Sequence, residues 1–411
     1  MKKLSYLFII LFNLLLFDAA FAQRAKMNQV EQDIYYLSSD ELQGREMGTE
    51  GERMAAQYIA ERMNSIGLEP KGLDGYFQYF AVTPQANPHA VDIHGSDKPI
   101  EGMNVIGFMN NESEHTIVIG AHYDHLGMGG QGSLHAGDAK IHNGADDNAS
   151  GVALMLLLAE NIASSPKKSQ NNFLFIAFSG EEKGLWGSNH YCKEPTIDLK
   201  SINYMLNFDM VGRWDKEKGF AINGVGTSPL WKKHLEIANK KDMKLVLSES
   251  GVGPSDHTSF YLQDIPVLHF FTGQHEDYHK PTDDEEKINY VGINYLKFYI
   301  LELMGSLDEQ GKLEFTKTKD EQKTATKFTV TLGVMPDYMF EGEGMRIDGV
   351  LEDRPAQKAG FQKGDVVIQM GKDKVTDIYN YMEALSKYKK GDKTTVRVRR
   401  GEEVIKEEVK F

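Results

Sequence analysis

One cysteine, Cys192, stands among 411 residues, so no disulfide can close within this chain. An exported protein without that staple must draw its stability from a buried core or from bound metal. Cys192 itself reads as a small buried hydrophobe. Basic residues are scarce too: 46 Lys and Arg against 60 Asp and Glu give a net charge of −14. Segment 325–411 holds 16 basic and 15 acidic residues, so the acidity lies ahead of it. Such a surface repels phosphate backbones and argues against nucleic acid as a partner. No internal repeat is found, and the apolar run at 4–17 is short for a bilayer span, so no stable membrane anchor is expected.

That run has a different meaning. Met1-Lys2-Lys3 is a basic start, LSYLFIILFNLLLF an apolar core, and Ala20-Phe21-Ala22 a small-x-small cleavage site. This predicts a signal peptide over residues 1–22, cleaved near Ala22, and an exported protein, periplasmic or secreted. No cysteine lies near the cleavage point, which argues against a lipid anchor.

At this length two domains are expected. VEQDIYYLSSDEL and GERMAAQYIAERMNSIG, within 29–66, carry apolar residues at helical spacing. Apolar, β-branched runs then recur: NVIGFM (104–109), TIVIGA (116–121), NFLFIAF (172–178), INYMLNF (202–208) and IPVLHFF (265–271). Between them lie helical stretches such as GVALMLLLAENIA (151–163), a pattern for a mostly parallel mixed sheet flanked by helices, an α/β fold. Residues 306–326 are charged and aperiodic and read as a linker between a body at 23–305 and a small β-rich domain at 327–411.

Chemistry gathers where the strands stop. His122 follows TIVIGA, Glu181-Glu182 follows FLFIAFSG, Asp209 follows INYMLNF, and Asp147 and His279 stand in polar loops. Ligands of α/β sheets collect beyond the carboxyl ends of parallel strands. Two His, two Asp and one Glu presented there suit a pair of divalent transition metals. In His122-Tyr123-Asp124 the histidine is the candidate ligand and Asp124 its orienter, since a ligating imidazole usually donates its other N–H to a carboxylate. GADDNASG (144–151) puts Asp146 and Asp147 in a tight turn, and one carboxylate can bridge two cations. The adjacent Glu181 and Glu182 suggest a division of labour, one ligating and one moving protons.

HYD at 122–124, GADDNASG at 144–151, SGEEKGLWGS at 179–188, NFDMVG at 207–212 and YHKPTD at 278–283 together resemble the dinuclear zinc aminopeptidases of the secreted Streptomyces and Vibrio type. The resemblance covers roughly residues 29–305. It implies one zinc on His122, Asp147 and Asp209 and another on Asp147, Glu182 and His279, with Asp147 rather than Asp146 as the bridge. It also implies Glu181 as general base toward a zinc-bridging water, and Tyr278 as a donor to the developing oxyanion. His125, His135 and His142, in the glycine-rich insertion 126–143 and at its root, read as a solvated loop. Asp256-His257 reads as lying beside the substrate pocket, and Arg45 as a structural cap or a residue near the site.

Residues 327–411 resemble a PDZ domain of the circularly permuted kind found in exported bacterial proteases, on RPAQKAGFQKGDVVIQMG at 354–371. By that resemblance Leu332, Gly333 and Val334 form the loop that holds a peptide or protein C-terminus. The expected function is a zinc-dependent metallopeptidase cleaving peptides, an aminopeptidase first. A carboxypeptidase or amidohydrolase on the same fold is the alternative, followed by glutaminyl-cyclase-like acyl transfer and a non-enzymatic receptor or scaffold.

Overall fold

In this computed structural model, residues 27–83, 98–130, 132–135, 137–318, 330–337, 340, 342–350 and 354–411 are described. The expected signal peptide at 1–22 lies outside them.

The apolar runs form a nine-stranded sheet. Its strands are β1 (Glu69–Pro70), β2 (Phe77–Val82), β3 (Ile100–Met109), β4 (Thr116–His122), β5 (Asn172–Phe178), β6 (Ile202–Phe208), β7 (Phe220–Asn223), β8 (Leu245–Ser248) and β9 (Val267–Phe271). They lie in the order β1-β3-β5-β4-β6-β9-β7-β8, with β2 also paired to β3. The four central strands, β5, β4, β6 and β9, are mutually parallel, whereas β3 and β7 flank them antiparallel. The sheet is therefore mixed around a parallel centre, as the strand–helix alternation predicts. The chain leaves β4 for β5 on one side and later returns to β6 on the other. That reversal makes the end of β4 the switch point of the sheet.

Every residue of β4, β5 and β6 is buried, so these strands show continuous apolar character instead of in–out alternation. Alternate residues nonetheless face opposite layers. Ile117, Ile119 and Ala121 join one core with Phe173, Phe175, Leu206 and Phe208; Val118, Leu174, Ile176 and Met205 join the other. The first layer is covered by α1 (Gln29–Leu37), α2 (Glu50–Ile66), α3 (Gly151–Ala163), α5 (Trp231–Ala238) and α7 (Tyr290–Leu307). The second is covered by α4 (Trp186–Lys193) and α6 (His257–Tyr261).

Helix α3 is buried along most of its length, and its start fixes the 144–151 turn. A Cβ on Gly151 would stand 2.4 Å from Asn148 Oδ1 and 2.5 Å from the Phe208 carbonyl, so only glycine lets the turn close against β6.

The first half of the expected linker is not free chain. Leu313 is buried in the first core, and its N–H donates to Asn203 Oδ1 at 2.8 Å. Thr316 N–H donates to the Thr227 carbonyl at 2.8 Å, Thr318 N–H to Tyr261 Oη at 2.9 Å, and Phe315 packs on the Tyr261 ring. Two apolar side chains two residues apart are enough to seat this strap, although its composition is that of a linker. The rest of the expected linker, 319–326, lies outside the described residues.

The second unit has its own core around Leu332, Ile347, Phe361, Val367, Met370, Val396 and Val398. Its sheet runs β10 (Val334–Pro336), β11 (Met345–Val350), β12 (Val366–Met370), β14 (Lys393–Arg400), β15 (Glu403–Lys410), with β13 (Asp373–Lys374) beside β12. Helices α8 (Pro355–Lys358) and α9 (Ile378–Ser386) complete it. The β-rich composition is thus matched by a separate β-sheet.

If the strap belongs to the first folding unit, Leu313→Ala should cost about 2–4 kcal/mol of that unit's stability, as for other buried Leu truncations. Denaturant unfolding of the full chain measures this, and a change under about 0.5 kcal/mol would return the strap to linker status.

Candidate metal centre

Four loops at the carboxyl ends of the parallel strands converge. His122 is the last residue of β4; Glu181 and Glu182 follow β5, Asp209 follows β6, and His279 stands in the loop after β9. Asp147 enters from the turn before α3. His122 Nε2 lies 3.3 Å from Asp147 Oδ1 and 3.4 Å from Asp209 Oδ1. His279 Nε2 lies 3.2 Å from Asp147 Oδ2 and 3.3 Å from Glu182 Oε2. The two oxygens of Asp147 are thus divided between two histidines. All five candidate ligands from the sequence come together, in two sets that share Asp147.

The distances discriminate between two kinds of contact. A charge-assisted N–H···O bond is about 2.7–2.9 Å long. Neighbouring donors around tetrahedral zinc, at about 2.0–2.2 Å from the ion, stand about 3.3–3.5 Å apart. The four imidazole–carboxylate separations, 3.2–3.4 Å, fit the second spacing. The donor set also fits: borderline imidazole nitrogens with carboxylate oxygens suit zinc. His125 behaves differently. Its Nδ1 is 2.8 Å from Glu182 Oε1, an ordinary hydrogen bond, and 3.9 Å from Asp147 Oδ2.

The tautomers follow from the other ring nitrogens. His122 Nδ1 faces the Asp124 main-chain carbonyl at 3.1 Å, and His279 Nδ1 faces the Gly132 carbonyl at 2.8 Å. A carbonyl only accepts, so both Nδ1 atoms donate and both Nε2 atoms point at the carboxylates. The Asp124 carboxylate is 3.7 Å from His122 Nδ1 and instead accepts the N–H groups of Glu181 at 3.0 Å and Glu182 at 3.4 Å. Asp124 therefore orients His122 through its main chain while its side chain joins the ends of β4 and β5.

Burial alone would lower the His122 pKa, yet Asp209 and Glu181 outweigh it and hold it well above its ordinary value. Burial would raise Asp147, but its bonds to His122 and His279 keep it well below the usual range. Burial, with Asp209 and Glu182 beside it, pushes the Glu181 carboxyl well up against the opposing pull of His122.

The loops are held from behind by residues that sequence reasoning underweighted. Arg45 is fully buried, and among the described residues its hydrogen bonds go to no carboxylate. Its Nε donates to the Tyr123 carbonyl at 2.8 Å, and its terminal nitrogens to the carbonyls of Asn143 at 2.7 Å, Gly144 at 3.0 Å and Leu37. It clamps the His122 and Asp147 loops through main-chain oxygens, and burial lowers its pKa to about 10. Asp283 Oδ2 accepts the N–H groups of Asp146 at 2.9 Å and Asp147 at 3.1 Å. Glu52 accepts from Gly48 N–H at 2.6 Å, Tyr123 Oη at 3.2 Å and Ser179 Oγ. His125 and His142 are fully buried, correcting their reading as a solvated loop; His135 is half-buried. The signal that could have found them is the density of histidines next to a candidate ligand.

A cavity of about 320 Å³ opens on the ligands. Glu181, Leu185, Met210, Asn223, His269, Phe271, Gln274 and Tyr278 also line it, and none of its lining residues is Arg or Lys. Tyr278 stacks on the His279 ring with centroids 3.8 Å apart. Asp256 and His257 do not line the cavity. They are buried behind it, His257 stacked on His269 at 4.4 Å, while Pro254 of the same loop reaches the wall.

Residues 104–304 match the model of Peptidase family M28, and residues 314–411 that of a PDZ domain. Aminopeptidase YwaD of Bacillus subtilis is 31% identical over 199 residues, 45% of this chain and 40% of that protein. A probable leucine aminopeptidase of Trichophyton verrucosum is 30% identical over 171 residues, 40% of this chain and 44% of that one. The chain thus spans less than half the length of these curated relatives. Among solved structures, a zinc aminopeptidase from Bacillus subtilis aligns with TM-score 0.54 and 20% identity, over 71% of this chain and 95% of that one. A glutaminyl cyclase of Bacteroides thetaiotaomicron aligns with TM-score 0.53 and 17% identity, over 67% of this chain and 96% of that one.

Burial pushes the Glu52 carboxyl up from 4.5 to about 7. The folded chain then holds a proton that the unfolded chain has released, so this group's stabilisation is full below pH 4.5 and is lost as pH rises through about 7. Glu52→Gln removes that loss. Melting temperatures of wild type and variant should diverge, in the variant's favour, between pH 5 and 8. Parallel curves would show that Glu52 does not titrate there.

Proposed function

We propose that this chain, whose residues 104–304 match the model of peptidase family M28 and residues 314–411 that of a PDZ domain, is a metallopeptidase that acts as an aminopeptidase with two zinc ions. The observation that carries this reading is the split of Asp147, one oxygen facing His122, which also faces Asp209, and the other facing His279, which also faces Glu182, at imidazole–carboxylate separations suited to zinc. Zinc supplies a lowered water pKa and a Lewis acid for the scissile carbonyl. The remaining work falls to side chains.

Glu181 lines the cavity, and none of the imidazole–carboxylate contacts of the two ligand sets uses it. It takes the proton of the attacking water and returns it to the leaving amine. Its burial keeps a proton close to the reacting groups, as a general acid–base catalyst requires. Tyr278, stacked on His279, stands where it can donate to oxygen at the scissile bond. Glu181 and Asp209 provide negative charge for a substrate ammonium.

A carboxypeptidase needs a cation for the substrate carboxylate. Arg45 is wholly taken up by main-chain carbonyls, and Arg213 donates to Asp277 at 2.7 Å; neither lines the cavity. That favours the amino end of a peptide. Glutaminyl-cyclase-like acyl transfer shares the fold, but the complete double ligand set supports hydrolysis.

Residues 1–22 support export. Among the described residues no helix is long and apolar enough to cross a membrane. In the second unit, Gly333 has φ of +76° and a Cβ there would overlap Arg354, so the 331–334 loop depends on glycine. Strand β10 follows directly and, among the described residues, stands at the edge of its sheet, where a peptide strand could be added.

Glu181→Gln should retain both metals yet hydrolyse aminoacyl amides about 10²–10⁴-fold more slowly, and near-wild-type turnover would remove it as the base. Chelation should abolish activity and zinc restore it. On paired free and N-blocked substrates, cleavage of the blocked set at equal rates would refute the aminopeptidase assignment. For the second unit, amidating the C-terminus of a bound peptide should abolish binding, and unchanged affinity would sink carboxylate recognition.

A further inference from the structure

Three contacts connect the glycine-rich insertion 126–143 and its root to the metal centre, and all three reach the same half. His125 Nδ1 donates to Glu182 Oε1 at 2.8 Å. The Gly132 carbonyl accepts His279 Nδ1–H at 2.8 Å, and Leu134 N–H donates to the His279 carbonyl at 2.9 Å. Among the described residues, no hydrogen bond runs from this insertion to His122 or Asp209.

The insertion is anchored well enough to act as a support. His142 is buried, its Nδ1 facing the Lys140 carbonyl at 2.9 Å and its Nε2 facing Ser133 Oγ at 2.7 Å. Its N–H donates to the Gly127 carbonyl at 2.8 Å, and Arg45 holds the Asn143 carbonyl at the far end. Among its described residues the loop folds back on itself, with His142 inside and His135 half-buried.

We propose that this insertion, through His125 and the Gly132 carbonyl, sets cation affinity at the Glu182–His279 half of the centre and leaves the His122–Asp209 half untouched. His125 is a positioning residue. Its N–H occupies Glu182 Oε1, so only Oε2 faces the shared position with Asp147 Oδ2 and His279 Nε2. Gly132 fixes the tautomer that turns the His279 Nε2 lone pair the same way. A hydrogen-bonding partner from the insertion or its root stands behind each of these two ligands, an N–H behind Glu182 and a carbonyl behind His279, so its loss changes the affinity of one position and not of the other. The inference rests on the two-cation reading above.

The test is metal binding by the full-length chain, read without turnover. Cobalt(II) is titrated against a chromophoric chelator, with the visible cobalt bands recorded at each equivalent. Wild type should take up two equivalents. His125→Ala should hold one unchanged and bind the other about 10–100-fold more weakly. His125→Asn, whose amide can place an N–H near the former Nδ1, should recover most of that loss, and a variant that folds poorly would weaken both equivalents together. Two equivalents equally tight in wild type and His125→Ala, or both weakened alike, would overturn the proposal alone. Fewer than two in wild type would overturn the two-cation reading and the proposal with it.

Discussion

Crowded negative charge is the constraint around which this molecule is organised. Asp124, Asp147, Glu181, Glu182 and Asp209 converge within one centre, where Asp124 and Asp147 are buried and the other three are partly so. Carboxylates in such surroundings repel each other and lose hydration, so each demands a donor or a cation. The fold meets the demand with imidazoles in front and main-chain N–H groups behind. Asp283 answers the same problem from the opposite side, using its own carboxylate to hold the backbone that presents Asp147. Arg45 contributes a full positive charge without touching any of the acids, because its donors go to carbonyls of the loops that bear them.

The sheet makes this convergence geometrically simple. Parallel strands with continuous apolar faces can be buried on both sides, and their ends then open together at one rim. With β4 at the switch point, loops from neighbours on both sides reach the same space without long excursions. Precision then depends on short supports rather than on the strands themselves. Asp124 joins two strand ends, Glu52 joins three segments, and Gly151 lets a helix begin against the β6 carbonyl.

Much of this was legible in the sequence because ligands were placed where apolar runs ended. His122, Asp209 and the Glu pair could be located by that rule alone, and their grouping followed from the motifs. Strands β1, β2, β7 and β8 lie outside the apolar runs that mark the others; β7 and β8 are four residues each and set among charged residues. Arg45 reads in the sequence as a cap or a residue near the site, and its clamp stays hidden because main-chain carbonyls leave no trace in side-chain pattern. His125 and His142 looked solvated because glycine and polar residues surround them; only the folding back of that loop buries them. The strap at 308–318 was read as linker from its charge, while Leu313 and Phe315, two residues apart, in fact seat it.

That strap also sets the length of a leash. The first unit holds the chain as far as Thr318, and the second has its first described residue at Val330, leaving eleven residues between them. A fully extended chain covers about 3.3–3.6 Å per residue, so the second unit cannot stray more than about 40 Å from that anchor.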